Sequence, residues 1–365
     1  MQVVSRRIAL KNIALAGAGY FLLPNGLWAR GSAPKKLGVA LVGLGYYSTD
    51  LLAPALQKTA NCYLAGIVTG TPSKAEKWQK QYNIPDKNIY NYQNFDQIAN
   101  NPDIDVVYVV LPPSMHEEYV IRAANAGKHV WCEKPMAMTE KECSNMIAAC
   151  KKNKRNLAIG YRLHHEPTTK AWRQIIQKQQ LGKVKSIENT AAYRDNRTNH
   201  WKQIRELGGG ALLDMGVYAI QGARMAANAE PKAVLSATTS TTRPEIYTGG
   251  LEETAIAKLE FPGGIIADIK TSFGENSNFN YIQCEKGRLE IAPFSGYGNL
   301  KAKSPLGEIF NAYQVPQQQV NQMDNEALRI MNKQSALVPG EEGLRDIRIV
   351  EAIKKAAKTG KMVGL

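Results

Sequence analysis

The sequence predicts an α/β protein of two domains, on three observations. Over residues 30–160 short apolar runs alternate with helical stretches, the pattern of a parallel sheet with helices on both faces. The first of these runs ends in a glycine turn that opens a helix. From about Val184 the pattern changes to longer alternating strands joined by hairpin-like turns such as Pro262-Gly263-Gly264, which indicates a large, mostly antiparallel sheet over 161–340. A helical stretch follows within 341–365. A length of 365 residues suits two domains at roughly 150 residues each.

Composition narrows the class. Hydrophobic residues make up 44% and charged residues 21%, which excludes a disordered tail, a collagen-like fibre or a disulfide knot. The net charge of +14 is spread along the chain with no long Lys/Arg block, so nucleic acid is not an expected partner. Cys62, Cys132, Cys143, Cys150 and Cys284 are odd in number and form no CxxC pair, so they read as buried small hydrophobes. Clustered Cys/His ligands at short spacing are absent, and no metal site is expected.

Residues 1–29 read as an address. Ser5-Arg6-Arg7-Ile8-Ala9-Leu10-Lys11 precedes an apolar stretch from Ile13 to Leu23 and a small-residue cleavage candidate after Leu27-Trp28-Ala29. The stretch is glycine-interrupted and short of the ~20 apolar residues that span a bilayer, so no stable membrane anchor is expected. The arginine pair resembles a twin-arginine export signal, which implies that machinery as a partner and a periplasmic destination. A general secretory signal or an N-terminal anchor is the other reading. Removing 1–29 takes away Arg6, Arg7 and Lys11 and no acid, leaving +11.

The strand Leu37–Val42 runs into Gly43-Leu44-Gly45-Tyr46-Tyr47-Ser48 and a helical stretch from Asp50 to Lys58. In a GxGxxG turn the first glycine permits the bend and the second lets backbone approach a pyrophosphate on the helix N-terminus. Ser48 takes the third glycine position. This predicts a Rossmann dinucleotide-binding domain, with Gly43, Leu44, Gly45, Tyr46 and Tyr47 at the cofactor. The strand Tyr63–Val68 ends at Thr69-Gly70-Thr71, and no acid lies between Asp50 and Glu76. A carboxylate there would hold both ribose hydroxyls of NAD, whereas Thr69, Gly70 and Lys74 suit a 2′-phosphate, so NADP is expected over NAD. Val106–Val110 ends at Leu111-Pro112-Pro113-Ser114, and His116 opens a helix to Ala126. His129–Cys132 ends at Glu133-Lys134-Pro135, then a helix over 139–153 leads to the strand Leu157–Gly160. Ligands bind at the carboxyl ends of such strands. Strands are also expected at Val184–Tyr193, Ala233–Thr242, Thr254–Phe261, Gly264–Ser272, Asn280–Cys284 and Arg288–Ile291.

GLGYYS, VLPPSMH, CEKPMA, GYRLHHEP and GGGALLDMGVYAI together resemble the glucose-fructose oxidoreductase / inositol dehydrogenase / MocA (Gfo/Idh/MocA) family. The similarity covers essentially all of 36–360. NIPDKNIYNYQNFDQIA, RAANAGKHVWCEKPMA and VPGEEGLRDIRIVEAIKKAAKTGK place it nearest the glucose-fructose oxidoreductase branch. The resemblance implies a tightly held NADP and a sugar oxidoreductase that oxidises an aldose to its lactone and reduces a second sugar. It also implies a C-terminal helix that returns to the first domain, and the exposed face of the antiparallel sheet suits a homodimer or homotetramer. It gives Lys134 the role of orienting the sugar hydroxyl, Asp214 that of binding the sugar and Tyr218 that of transferring the proton. Many relatives carry His where this chain has Tyr218. It implies cofactor contacts at Tyr92, Leu111, Pro112, His116, Glu133, Lys134, Arg162 and Trp201. Sugar contacts fall to Lys134, Arg162, Asp214 and Tyr218, with Tyr281 a lesser candidate. The branch has a longer proline-rich arm near the cofactor, whereas only Arg30–Lys36 separates the cleavage candidate from strand one.

The residues support the proton role independently. Asp214 and Tyr218 are i and i+4, which a helix places on one face. Oxidising an alcohol needs a base for the hydroxyl proton, and a Lys ammonium favours an ionised tyrosine. His164, His165 and His200 are weaker polar candidates. A dinucleotide-dependent glycosidase, another sugar dehydrogenase and a non-catalytic binding protein stay open as alternatives. The leader generates its own test: Lys in place of both Arg6 and Arg7 is expected to leave active, folded protein in the cytoplasm. Unchanged export in cell fractionation would assign the leader to the general secretory route.

Overall fold

Residues Leu37–Val42 form β1, whose Val39 to Val42 are wholly buried, as the centre of a doubly covered parallel sheet requires. The computed structural model describes residues 36–365, which form one unit. The leader, with Arg6 and Arg7, lies outside the described residues. After β1 come α1 (Ala53–Leu56), β2 (Cys62–Val68), α2 (Pro72–Tyr82), β3 (Ile89–Tyr90), β4 (Val106–Val109), α3 (His116–Asn125), β5 (His129–Cys132), α4 (Glu140–Lys152) and β6 (Leu157–Ile159). The six strands are parallel in the order β3-β2-β1-β4-β5-β6. The chain reverses direction across the sheet between β1 and β4, and that crevice is where ligands of such sheets lie.

The helix after the glycine turn departs from the expected 50–58. It begins as a π turn at Tyr47–Leu52 and continues as α1 only to Leu56. Pro54 has no N–H to give a normal helical bond, and the wider turn before it accommodates that loss. α4 starts as its sequence indicates, with Thr139 and Glu142 forming a reciprocal capping box.

The second half holds α5 (Pro167–Gln177), β7 (Val184–Ala192), α6 (Val217–Ala227), β8 (Ala233–Ser240), β9 (Thr254–Glu260), β10 (Ile266–Ser272), β11 (Ser277–Cys284), β12 (Gly287–Ile291), β13 (Lys301–Ser304) and β14 (Gly307–Phe310). Then follow α7 (Gln317–Met331), α8 (Gly340–Thr359) and β15 (Val363–Gly364). The sheet order is β14-β13-β12-β11-β7-β10-β9-β8-β15, antiparallel except where β10 runs parallel to β7. β13, β14 and β15, short and largely exposed, add to the strands expected from sequence.

Two helices bind the halves together. α8 packs on α4 and β6 of the first sheet and also on β8 of the second, so it bridges both domains rather than returning to the first alone. Its Asp346 and Glu342 meet Arg224 of α6 at 2.7 and 2.9 Å. α7 falls within the segment expected to belong to the second domain, yet it covers α1 and β2. There Val320, Met323 and Ala327 join Leu52 and Leu56 in one core, and Asp324 accepts the backbone N–H groups of Ala60 and Asn61 at 3.0 and 2.7 Å. All five cysteines are free and buried. No helix among the described residues is long and apolar enough to cross a membrane.

α6 carries the site and lies tight against the second sheet. A Cβ at Gly222 would stand 2.2 Å from Asn189 Nδ2 and 2.7 Å from the Phe294 ring. Alanine gains up to ~1 kcal/mol of helix propensity, but forced overpacking costs about 1–3 kcal/mol. Gly222→Ala is therefore expected to lower the thermal midpoint by scanning calorimetry. A midpoint at or above that of the parent protein would show that α6 lifts from the sheet at no cost.

Candidate active site

The glycine turn sits at the reversal point of the first sheet. Gly43 has φ +91°, and a Cβ there would strike the Val110 carbonyl at 2.5 Å. Ser48 donates to the Gly43 carbonyl at 2.6 Å, which ties the start of the helix to the bend. A Cβ at Gly45 would meet nothing within 4 Å, so that side of the turn is open. Tyr46 beside it is 65% exposed. Lys74 reaches back from α2 and donates to the Leu44 carbonyl at 3.1 Å, which brings its ammonium from the end of β2 to the edge of the turn. The Tyr92 ring lies against Gly70, and Thr69 accepts the Thr71 N–H. An open turn, a helix start and a lysine with no acid in 51–75 fit a dinucleotide with a 2′-phosphate.

Other expected cofactor residues occupy the strand ends nearby. His116 is buried, with Nε2 at the Leu111 carbonyl (2.8 Å) and Nδ1 at the Pro135 carbonyl (3.0 Å). It therefore braces the Leu111-Pro112 and Lys134-Pro135 loops from behind, and burial lowers its pKa. Glu133 accepts Tyr108 Oη–H at 2.6 Å and the Lys134 N–H at 3.2 Å. Burial pushes its pKa up to about 7 against the pull of Tyr108 and Lys134. The Tyr47 hydroxyl receives Gln319 Nε2–H at 3.3 Å, and its ring lies 6.1 Å from that of Tyr297.

Lys134, Asp214 and Tyr218 come together. Lys134 follows β5 and donates to the Asp214 carbonyl at 2.7 Å and to Oδ1 at 3.1 Å. Its Nζ lies 4.7 Å from the centre of the Tyr218 ring. Asp214 stands in a π turn at Leu212–Gly216 that leads into α6, so it and Tyr218 both face the lysine. Asp214 is 4% exposed. Burial pushes its pKa up, but Lys134 and Lys202 overcome this and hold it well below the carboxylate range. Burial likewise opposes the charge on Lys134, and Asp214 overrides it, leaving the ammonium harder to deprotonate than usual. Both shifts favour the charged form of the pair.

Arg162 lies beneath. Its guanidinium is 5.3 Å from the Tyr218 ring and 4.6 Å from that of Tyr297, and it donates to the carbonyls of Ser295 and Gly296 and to Gln318 Oε1. It supports the Tyr218 ring from the buried side. Trp201 shares a short turn with Lys202, 5.7 Å from that ammonium.

Tyr281 is a correction. Alternation along β11 sends Asn280 and Ile282 into the core under α6, where Asn280 donates to the Gly222 carbonyl, and leaves Tyr281 on the opposite face with Phe279 and Arg288. That face is turned away from α6, which carries Tyr218. His164 and His165 are also placed elsewhere. His165 meets Asn325 at 3.3 Å and Glu326 at 3.5 Å, and burial pushes His164 down to about 3. His200 caps the Trp201–Gln203 turn. Among the described residues no group of three or more His, Cys, Asp or Glu is placed to hold a metal ion.

Sequence reasoning missed Lys202, Tyr193 and Tyr297. Lys202 donates to Asp214 Oδ2 at 2.6 Å and to the Tyr193 hydroxyl at 3.1 Å. None of the three belongs to a short motif. Only Lys202 carries a signal, as a lysine beside Trp201.

An ion-paired Lys134–Asp214 cluster beside Tyr218 at the strand ends of a dinucleotide fold fits one class, a nicotinamide-dependent oxidoreductase. Comparison then gives the family. The chain matches the model described as "Oxidoreductase family, NAD-binding Rossmann fold" over 37–161 and the "GFO/IDH/MocA C-terminal domain" over 169–290, and it belongs to the GFO/IDH/MocA family. The solved aldose-aldose oxidoreductase from Caulobacter crescentus, complexed with glycerol, is 37% identical with a TM-score of 0.87. The match covers 91% of this chain and all of that one. D-xylose 1-dehydrogenase [NADP(+)] of Haloarcula marismortui is 26% identical over 89% of this chain and 92% of its own. A 3-ketoreductase from Actinomadura kijaniata, solved with TDP-benzene and NADP, shares the fold at 20% identity and a TM-score of 0.74, covering 88% and 98% of the two chains. The nicotinamide cofactor and the two-domain α/β fold agree with the expectations from sequence.

The position of Thr69 carries a test. Thr69→Asp puts a carboxylate at the end of β2, where it accepts ribose hydroxyls and repels a 2′-phosphate. Titrations of both cofactors are expected to show NADP affinity reduced and preference moved toward NAD. Equal or tighter NADP binding would remove Thr69 from the 2′-phosphate pocket.

Proposed function

We propose that this chain is an exported sugar oxidoreductase that keeps NADP bound, oxidises an aldose to its lactone and returns the hydride to a second sugar in the same pocket. The observation that carries this reading is the ionised Lys134–Asp214 pair beside Tyr218 at the carboxyl end of β5. The names of the Caulobacter and Haloarcula relatives support a sugar substrate, and Lys74 at the open glycine turn supports NADP.

When bound, the nicotinamide ring accepts hydride in one half-reaction and donates it in the other. The chain's own groups do the rest. Lys134, fixed by Asp214, donates a hydrogen bond to the sugar hydroxyl and aligns it. Tyr218 Oη takes the hydroxyl proton as hydride leaves carbon, then gives it back when the second sugar's carbonyl is reduced. The proton inventory closes within one full cycle, so bulk water need not exchange with the site.

The Arg6-Arg7 leader supports export to the periplasm by the twin-arginine machinery, which carries folded proteins. Free NADP is not expected there, so a cofactor recycled in place is the economical arrangement. The same reading includes a homodimer or homotetramer. The outward face of the nine-stranded sheet supports it, since Ile256 and Phe310 are each 47% exposed there.

Tyr218→Phe tests the core of the reading. It keeps the ring over Lys134 and removes the only atom that can move a proton. Positioned acid–base groups contribute roughly 10²–10⁴-fold, and single-turnover rates of cofactor reduction and reoxidation are expected to fall by that order while NADP stays bound. A tyrosine that only packs would leave both rates intact and cost ~1 kcal/mol of stability.

A further inference from the structure

The Lys134–Asp214 pair is not closed on itself. Asp214 has two carboxylate oxygens, and each serves a different ammonium: Oδ1 meets Lys134 at 3.1 Å and Oδ2 meets Lys202 at 2.6 Å. Tyr193 completes the outer side, its hydroxyl 3.1 Å from Lys202 Nζ and 3.4 Å from Oδ2. Arg197 reaches that hydroxyl at 3.2 Å and pairs with Asp195 at 2.6 Å. The His200 ring accepts the Lys202 N–H at 3.3 Å and meets Arg197 at 3.1 Å. Lys202 is 19% exposed at its side chain, and Lys134 and Asp214 are less exposed still, so these charges act through a poorly screened medium.

We infer that Lys202, held by Tyr193, is a positioning residue for the oxidation step, acting through Asp214 to leave the Lys134 ammonium with uncompensated positive charge facing Tyr218. This inference rests on the sugar-oxidoreductase reading. One carboxylate shared by two ammoniums gives a net positive cluster. With Lys202 gone, Asp214 neutralises Lys134 fully, and negative charge on the Tyr218 oxygen keeps only the Arg162 guanidinium, 5.3 Å from the ring, as cationic support. Burial, with Lys134 repelling and Asp214 only partly offsetting, already holds the Lys202 pKa below the usual lysine value, so its charge depends on Asp214 in turn. Lys202 also sits on the turn that follows the 194–200 loop, so it couples the position of that loop to the reacting pair.

Two measurements test this on the full chain. The first is the single-turnover rate of nicotinamide reduction by an aldose between pH 5.5 and 9.5, with cofactor binding followed separately by fluorescence. In Lys202→Met the pH of half-maximal rate is expected to rise by about one unit. The rate at the acid end of this range falls roughly tenfold, the loss narrows as pH rises, and NADP affinity stays within about twofold. Lys202→Arg, which keeps the charge, is expected to restore the profile. An unchanged profile, or a loss equal at every pH, overturns the inference. The second measurement uses the cofactor-free protein. The ¹³C carboxyl signal of Asp214, identified by its loss in Asp214→Asn, is expected to stay ionised down to the acid limit of folding in the parent protein and to begin protonating above that limit in Lys202→Met. A signal that stays ionised to the same pH in both overturns the inference. If no aldose reduces the cofactor in the parent protein, the functional reading fails, and the carboxyl titration still decides the role of Lys202.

Discussion

A buried carboxylate stays ionised only where cations repay its lost hydration, and the placing of Asp214 answers that constraint. Its partners come from two places in the fold. Lys134 ends a strand of the parallel sheet, and Lys202 stands on a turn of the second domain. This ion-paired charge is thus also a clamp across the domain boundary. The π turn that carries Asp214, the close seating of α6 at Gly222 and the Arg224 link to α8 all fix the height of one carboxylate relative to two ammoniums. The cluster is held accurately because these supports lie on packed helices and strands.

Much of this was legible in the sequence. β1, β2, β4, β5 and β6 are near-continuous apolar runs, as strands buried on both faces must be, and the glycine turn announced the cofactor crevice. Lys134, Asp214 and Tyr218 were legible through EKP and the spacing of Asp and Tyr. What escaped had physical reasons. α7 does carry an apolar stripe at Val320, Met323, Ala327 and Ile330, but it opens on QQQVNQ, and Gln318, Gln319 and Gln322 also face inward to meet Arg162, Tyr47 and Tyr108. Amides buried beside a narrow stripe dilute the apolar pattern by which such a helix is read. β13 and β14 are edge strands of four residues, too short for period two to stand out.

Tyr281 shows the opposite failure. Its position on a strand was right, but only the register fixes which face a residue takes, and one step along the chain reverses it. Asn280, one residue earlier, holds the inner face by bonding to α6. Ile282 and Cys284 take the same inner face at two and four residues beyond Asn280, so the period of the strand already places Tyr281 outside. Lys202 escaped for another reason: no spacing rule links residue 202 to 214, and their meeting depends on how the 194–200 loop folds over the site.

The dependence of the first sheet on α7 has a consequence for the order of events during synthesis. Leu52, Leu56 and the backbone of Ala60 and Asn61 acquire their cover from residues 317–331. At roughly 5–20 residues per second, a ribosome takes on the order of ten to thirty seconds between finishing β6 and delivering that helix. Through this interval the nascent nucleotide-binding half presents an open apolar flank to whatever holdase is at hand. The nucleotide crevice is complete only when the polypeptide is nearly finished.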